Sequence, residues 1–267
     1  MLAAERHAAI LDHLAQRPAV RVSALARDLG VSEMTVRRDI DSLEARGSLL
    51  RVHGGAVRPG HLSAVEPGFE ANRARATAAK QKIAEAAVSL VTPGMTVSVT
   101  GGTTTFALAP LLAGVPGLTV ITNSLPLADE LHRLRSVSAL RDAVPQVLLI
   151  GGHLTPSKAL VGPLATTALA SLRADLCFMG AHGVDATAGI TTPNLAEAET
   201  NRAFARTCGH LVVLADATKL GVMSLARITG LGDADALVTD QQPTHDYREL
   251  TRIVCVPATD PDLEEHR

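Results

Sequence analysis

The chain has 267 residues, 46% of them hydrophobic and only 2% aromatic, with no Trp and a formal net charge of −2. That is enough apolar sequence for one large domain, or for a small and a medium one, and it argues against disorder. So few aromatic rings argue against recognition by base stacking or aromatic cages.

The charge becomes more informative once divided. Residues 1–60 hold nine arginines, no lysine and seven acids, whereas the remainder is net negative. Alone, that mild asymmetry does not establish a nucleic-acid partner. Cys177, Cys208 and Cys255 have neither CxxC nor His–Cys spacing, so the expectation is reduced, buried thiols in a cytoplasmic protein, with no metal and no disulfide framework. The start, MLAAERHAAILDHL, carries charges within its apolar stretch, which argues against a signal peptide. Residues 86–128 lack any charge, but repeated Gly and Pro break them too often for a membrane helix.

Ile10 and Leu14, one turn apart, predict an amphipathic helix over residues 4–17 that ends before Pro18. A second helix carries Leu25, Ala26 and Leu29, with Ser23 as its expected cap and Gly30 as its left-handed stop. Ser32 caps a third helix. Val31 and Val36 stand at the positions of a hydrophobic staple, and Val36, Ile40 and Leu43 point inward. About three residues separate the second and third helices, the corner of a helix-turn-helix.

Thr35, Arg37 and Arg38 remain on the outer face of the third helix, where an arginine can grip guanine or a backbone phosphate. The bland alternative pairs Arg37 and Arg38 with Asp41 and Asp39 on a wet surface. The capped helix-turn-helix around them favours DNA contact. Leu50, Val52 and Val57 then predict a two-stranded wing turning at Gly54-Gly55, decorated by Arg51, His53 and Arg58.

Residues 5–58, with S-x-x-T-V-R-R-D, L-E-x-x-G and R-V-H-G-G-A, resemble the DNA-binding domain of the DeoR family of bacterial regulators. The resemblance implies that Ser32, Thr35, Arg37 and Arg38 lie on the DNA-reading helix, and Arg51 joins them from the wing. The expected partner is a double-stranded DNA operator.

Residues 59–79 read as a linker that passes into a helix from about 72 to 91. Beyond it, apolar β-branched runs recur at 96–100, 118–122, 146–151, 175–180, 210–216, 235–240 and 252–257, with helical segments between most of them. This alternation predicts an α/β domain over residues 80–267, a doubly wound and mostly parallel sheet covered on both faces. Ligands bind beyond the carboxyl ends of such strands. There the chain places Gly102, Thr103, Thr104 and Thr105, then Asn123, Gly152 and Asp185. A glycine-threonine turn can hold a phosphate. Lys219 is the candidate to balance its charge, since residues 86–128 supply no cation.

This half resembles the family's effector-binding domain through K-x-x-I-A (80–84), Gly-Thr-Thr-Thr, G-I-T-T-P-N-L-A-E-A (189–198) and L-A-D-A-T-K. The resemblance implies a fold similar to sugar-phosphate isomerases and a phosphorylated sugar or polyol as effector, with no cofactor. Two positions depart from the family pattern: Thr100-Gly101, where many relatives carry an aspartate before the loop, and His182, where many carry another.

The favoured reading is a transcriptional regulator, a repressor acting as a homo-oligomer, with no catalytic residue. One alternative is an isomerase with an appended DNA-binding domain, whose base would be Asp185, Glu197 or Asp216. Another is a sugar-phosphate sensor that acts through a protein partner alone.

Overall fold

The computed structural model describes residues 3–16, 19–52, 55–57, 62–63, 68–137 and 144–256. His53, Gly54 and Arg58, named for the wing, lie outside them.

The N-terminal unit runs α1 (Ala3–Gln16), β1 (Ala19–Arg21), α2 (Val22–Leu29), α3 (Glu33–Ala45), β2 (Leu50–Val52) and β3 (Gly55–Val57). Ile10, Leu14, Leu25, Val36, Ile40 and Leu43 meet in one buried cluster, so the apolar spacing of three helices is satisfied by a shared core. α2 begins at Val22, which leaves Ser23 inside its first turn rather than at the cap. Gly30 has φ 65°, and the Val31 N–H reaches back 3.0 Å to the Ala26 carbonyl, closing α2 as a Schellman turn. Ser32 caps α3 as expected, its Oγ accepting the Thr35 N–H at 3.2 Å. The wing has a third strand: β3 lies between β1 and β2, antiparallel to both.

Next come β4 (Leu62–Ser63), α4 (Phe69–Arg73) and α5 (Thr77–Val88). The one helix expected from 72 is therefore two, broken where Ala76 takes φ 48°.

The larger unit continues with β5 (Thr96–Val99), α6 (Thr103–Phe106), α7 (Ala109–Leu112), β6 (Thr119–Thr122), α8 (Leu125–Val137), β7 (Gln146–Leu149), β8 (His153–Leu154), β9 (Leu160–Val161), α9 (Pro163–Ala170) and β10 (Ala174–Gly180). It ends with β11 (Gly183–Asp185), β12 (Gly189–Thr192), α10 (Leu195–Arg206), β13 (Cys208–Leu214), β14 (Met223–Ser224), β15 (Ala226–Thr229), β16 (Ala236–Thr239), α11 (His245–Leu250) and β17 (Arg252–Cys255). Seven strands, the seven expected, form one sheet in the order β17-β16-β13-β10-β5-β6-β7, with every neighbouring pair parallel.

Both faces are covered. In β10, Leu176 and Phe178 pack with α5, α7 and α8, while Cys177 and Met179 pack with α9 and α10. A strand whose residues point alternately to two buried faces must be apolar throughout, which is why these runs show no polar alternation. Cys177 is buried as expected, whereas Cys208 and Cys255 are only half-buried.

The winding sets the site. From β5 the chain proceeds through β6 and β7 in one direction, then returns to lay β10, β13, β16 and β17 in the other. The reversal falls between β5 and β10, and a crevice opens beyond the carboxyl ends of strands where the winding reverses.

Candidate functional site

Two regions hold the residues singled out by sequence. The first is the outer face of α3. Arg37 and Arg38 are both exposed there, but their surroundings differ. Arg37 donates to Glu33 at 3.2 Å, one turn back. Arg38 has no ion-pair partner among the described residues. Asp39, its partner in the bland alternative, turns inward instead, where it accepts from Arg6 Nε at 2.7 Å and Nη2 at 3.0 Å, with His7 at 3.2 Å. Burial alone would raise the Asp39 carboxyl, but the Arg6 guanidinium, with His7, outweighs it and leaves the pKa lowered. This acid therefore ties α1 to α3 rather than facing outward.

The Thr35 hydroxyl lies 2.9 Å from that of Ser32. Met34, which sequence reading passed over, stands 60% exposed on the first turn of α3. Arg51 pairs with Asp41, its N–H donates to Glu44 at 2.9 Å, and both Arg51 and Glu44 reach the edge of the second region.

That region is a cleft of about 570 Å³ at the β5/β10 crevice. One wall is the turn after β5, with Gly101, Gly102, Thr103 and Thr104. Gly102 has φ 154°, a conformation that L side chains rarely adopt, and a Cβ there would meet Thr105 Oγ1 at 3.1 Å. The chain can turn this sharply into α6 only with glycine at that position.

Lys219, Asp216, Arg75 and Lys80 also line the cleft. Lys80 is 5% exposed, and its Nζ donates to the carbonyls of Asn72 and, at 2.6 Å, Arg75. Burial pushes the Lys80 ammonium down to about 8; Asp216 opposes the shift, while Lys219 and Arg75 add to it. The expectation of a site with a single cation is thus corrected. Lys80 comes from a helix that reads as ordinary surface sequence, and its motif offered the only signal.

Another part of the cleft lining is polar. Glu197, 6% exposed, accepts from Thr155 at 2.9 Å, Thr192 at 3.1 Å and Ser157. Asn194 caps α10 and fixes the turn that carries Glu197, accepting its N–H at 3.2 Å. His182 Nδ1 lies 3.4 Å from the Thr192 hydroxyl, and Asn201 lines the cleft with them.

Gly102, Thr103, Thr104 and Lys219 line the cleft, while four other candidates do not. Thr105 Oγ1 donates to the carbonyls of Thr100 at 2.8 Å and Gly102 at 3.0 Å. Asn123 accepts the Gly101 N–H at 2.9 Å and donates to Leu160 at 3.0 Å. Asp185 accepts the N–H groups of Thr187 and Ala188, both at 2.8 Å. Gly152 packs so tightly on β9 that a Cβ would sit 2.4 Å from the Val161 carbonyl. Thr105 and Asn123 thus brace the Gly101–Gly102 turn, while Asp185 and Gly152 shape backbone outside the lining. Thr100 also belongs to the frame, its Oγ1 accepting the Gly180 N–H at 3.1 Å and so tying the ends of β5 and β10.

Among the described residues no group of His, Cys, Asp and Glu is placed to hold a metal ion, and no helix is long and apolar enough to cross a membrane.

Two family models match the chain. A DeoR-like helix-turn-helix domain matches residues 6–61, and a DeoR C-terminal sensor domain matches residues 75–241. The uncharacterized HTH-type transcriptional regulator FruR of Bacillus subtilis is 34% identical over 259 residues, covering 96% of this chain and 99% of that protein. The glycerol-3-phosphate regulon repressor of Escherichia coli is 27% identical over 240 residues, covering 90% and 91%. Among solved structures, ribose 5-phosphate isomerase A of Methanocaldococcus jannaschii aligns over 53% of each chain, with 18% identity and a TM-score of 0.37.

Proposed function

We propose that this chain, which belongs to the DeoR family of transcriptional regulators, is a cytoplasmic repressor of carbohydrate genes that a phosphorylated sugar or polyol releases from its operator. One observation carries the effector half of this reading: Lys80, Lys219 and Arg75 line the same cleft as the Gly101–Thr104 turn, together with the Ser157 and Thr192 hydroxyls and the Glu197 carboxylate. Cations beside a glycine-threonine turn suit a phosphate, through charge-assisted hydrogen bonds. Glu197, Thr192, His182 and Asn201 suit the hydroxyls of a sugar or polyol. The relative named for a glycerol-3-phosphate regulon accords with such an effector.

The DNA half assigns Arg38 and Arg37 to the operator, with Thr35 and Ser32 beside them at the start of α3. Arg51 joins them only when it leaves Asp41. We assign residues 1–58 to DNA binding, 59–79 to the connection and 80–267 to effector binding. A closed homo-oligomer would present paired units to repeated half-sites. The isomerase reading is weaker, because each acid it would need as a base is already engaged. Asp185 and Asp216 cap their own turns, and Glu197 holds three hydroxyls.

The test uses the full chain on fragments of its own genome, at low and high salt. The probes are ribose 5-phosphate, fructose 1-phosphate, glycerol 3-phosphate and inorganic phosphate. We expect salt-sensitive retention of a fragment and its release by one phosphorylated compound but not by its dephosphorylated form. A folded protein that retains no fragment, or that every probe leaves bound, overturns the proposal.

A further inference from the structure

The chain that leads from the DNA-binding unit lines the cleft with residues of α4 and pairs with a strand beside it. β4 pairs in parallel with β14, just beyond the cleft residues Lys219 and Val222. α4 lies against α6, the helix that the Gly-Thr turn opens. Phe69, buried, meets Phe106 edge-on at 5.6 Å, and the Arg73 guanidinium lies 4.9 Å over the same Phe106 ring. Glu70 pairs with Lys158 at 2.6 Å, and the Phe69 N–H donates to the Pro156 carbonyl at 3.0 Å.

The remaining tie of α4 comes from inside the cleft. Lys80 Nζ donates to the carbonyl of Asn72, in the last turn of α4, and to that of Arg75 just beyond it. Ala76 follows at φ 48°, a conformation that costs a non-glycine residue free energy and persists only where neighbours hold it. The hydrogen bonds from Lys80 are such a hold.

Resting on the effector reading above, we propose that Lys80 is the positioning residue that couples the two sites. An effector phosphate draws its ammonium away from the carbonyls of Asn72 and Arg75 and so loosens α4 and the connection to the DNA-binding unit. An ammonium has three protons, two of them already spent on neutral carbonyls. A phosphate oxygen makes the stronger, charge-assisted bond, so a phosphate that takes more than the one remaining proton competes with the carbonyls for the group. Two ligands competing through one element weaken each other's binding by the same factor, so effector and operator become antagonists.

Amide hydrogen exchange of the full chain, free and saturated with whichever of the four probes binds most tightly, tests this directly. The expected result is faster exchange at residues 69–75 while the cleft turn 101–104 becomes protected. A second arm uses Glu70→Lys, which breaks the pair with Lys158 from outside the cleft. It should weaken DNA binding and tighten probe binding by a similar factor, about threefold for an exposed pair. The double exchange Glu70→Lys/Lys158→Glu should restore both. Slower or unchanged exchange over residues 69–75, with a probe bound and DNA released, overturns the coupling and leaves the effector reading standing. If no probe binds the wild-type chain, both fall together.

Discussion

Lys80 makes effector affinity depend on pH in a way that few other residues here would. Its ammonium titrates near 8 in the free protein, because burial disfavours the charge. Roughly nine-tenths of the chains therefore carry that charge at pH 7, and roughly one-tenth at pH 9. A bound phosphate dianion would hold the proton well above pH 9. The affinity should then fall about tenfold between pH 7 and 9, equivalent to about 1.4 kcal/mol. Measurements start at pH 7, since the probe's own phosphate begins to take up a proton near 6. The assay is calorimetric titration of the full chain with the tightest of the phosphorylated probes, at constant ionic strength. Lys80→Arg keeps its charge throughout and should remove the alkaline limb. Stability should move the opposite way. The unfolded chain holds this proton at the ordinary lysine value of 10.5, so free-protein stability rises from about pH 8 towards 10.5 as the folded state sheds a charge that it holds poorly. Affinity that stays flat from pH 7 to 9, or a limb that persists in Lys80→Arg, refutes the reasoning.

Arg38→Ala should weaken operator binding more than Arg37→Ala, because Arg37 already spends a donor on Glu33. If Arg38 holds phosphate, the loss is even across sequences and the slope of log K against log salt drops by about 1. Fluorescence anisotropy at several salt concentrations reads both, and equal losses for the two variants would contradict the difference in pairing. Ile40→Ala, which empties a site 1% exposed between the helices of the DNA-binding unit, should cost about 2–5 kcal/mol. Urea unfolding checks it, and a loss below about 1 kcal/mol would mean that the cluster collapses around the gap.

The large elements were legible because each carries its own signal. Seven apolar β-branched runs predict seven strands, and the boundaries fall within about two residues at most ends. The Ser32 cap with Val36, Ile40 and Leu43 inward could be read because capping and helical periodicity are local. The elements missed, β1, β4, α4 and the small strands β8, β9, β11, β12, β14 and β15, have two to five residues, too few to show any period. They form because other parts of the chain offer them hydrogen bonds and an apolar surface.

The site divides along the same line. Sequence alone determined that a glycine-threonine turn follows the first strand of a parallel sheet and that arginines lie outside on a capped helix. Those are short-range matters of backbone conformation and apolar spacing. Only the tertiary structure decided which polar groups meet. Asp39 reads as a surface neighbour of Arg38 until Arg6, 33 residues earlier, takes it inward and leaves Arg38 exposed. Asn123 and Asp185 stand at strand ends like binding residues, yet backbone N–H groups claim them first. Lys80 becomes a buried cation because α4 and the residues just beyond it fold over it and offer the carbonyls of Asn72 and Arg75. The pairing of a charge depends on distances between segments far apart in the chain, and the order of the residues does not contain those distances.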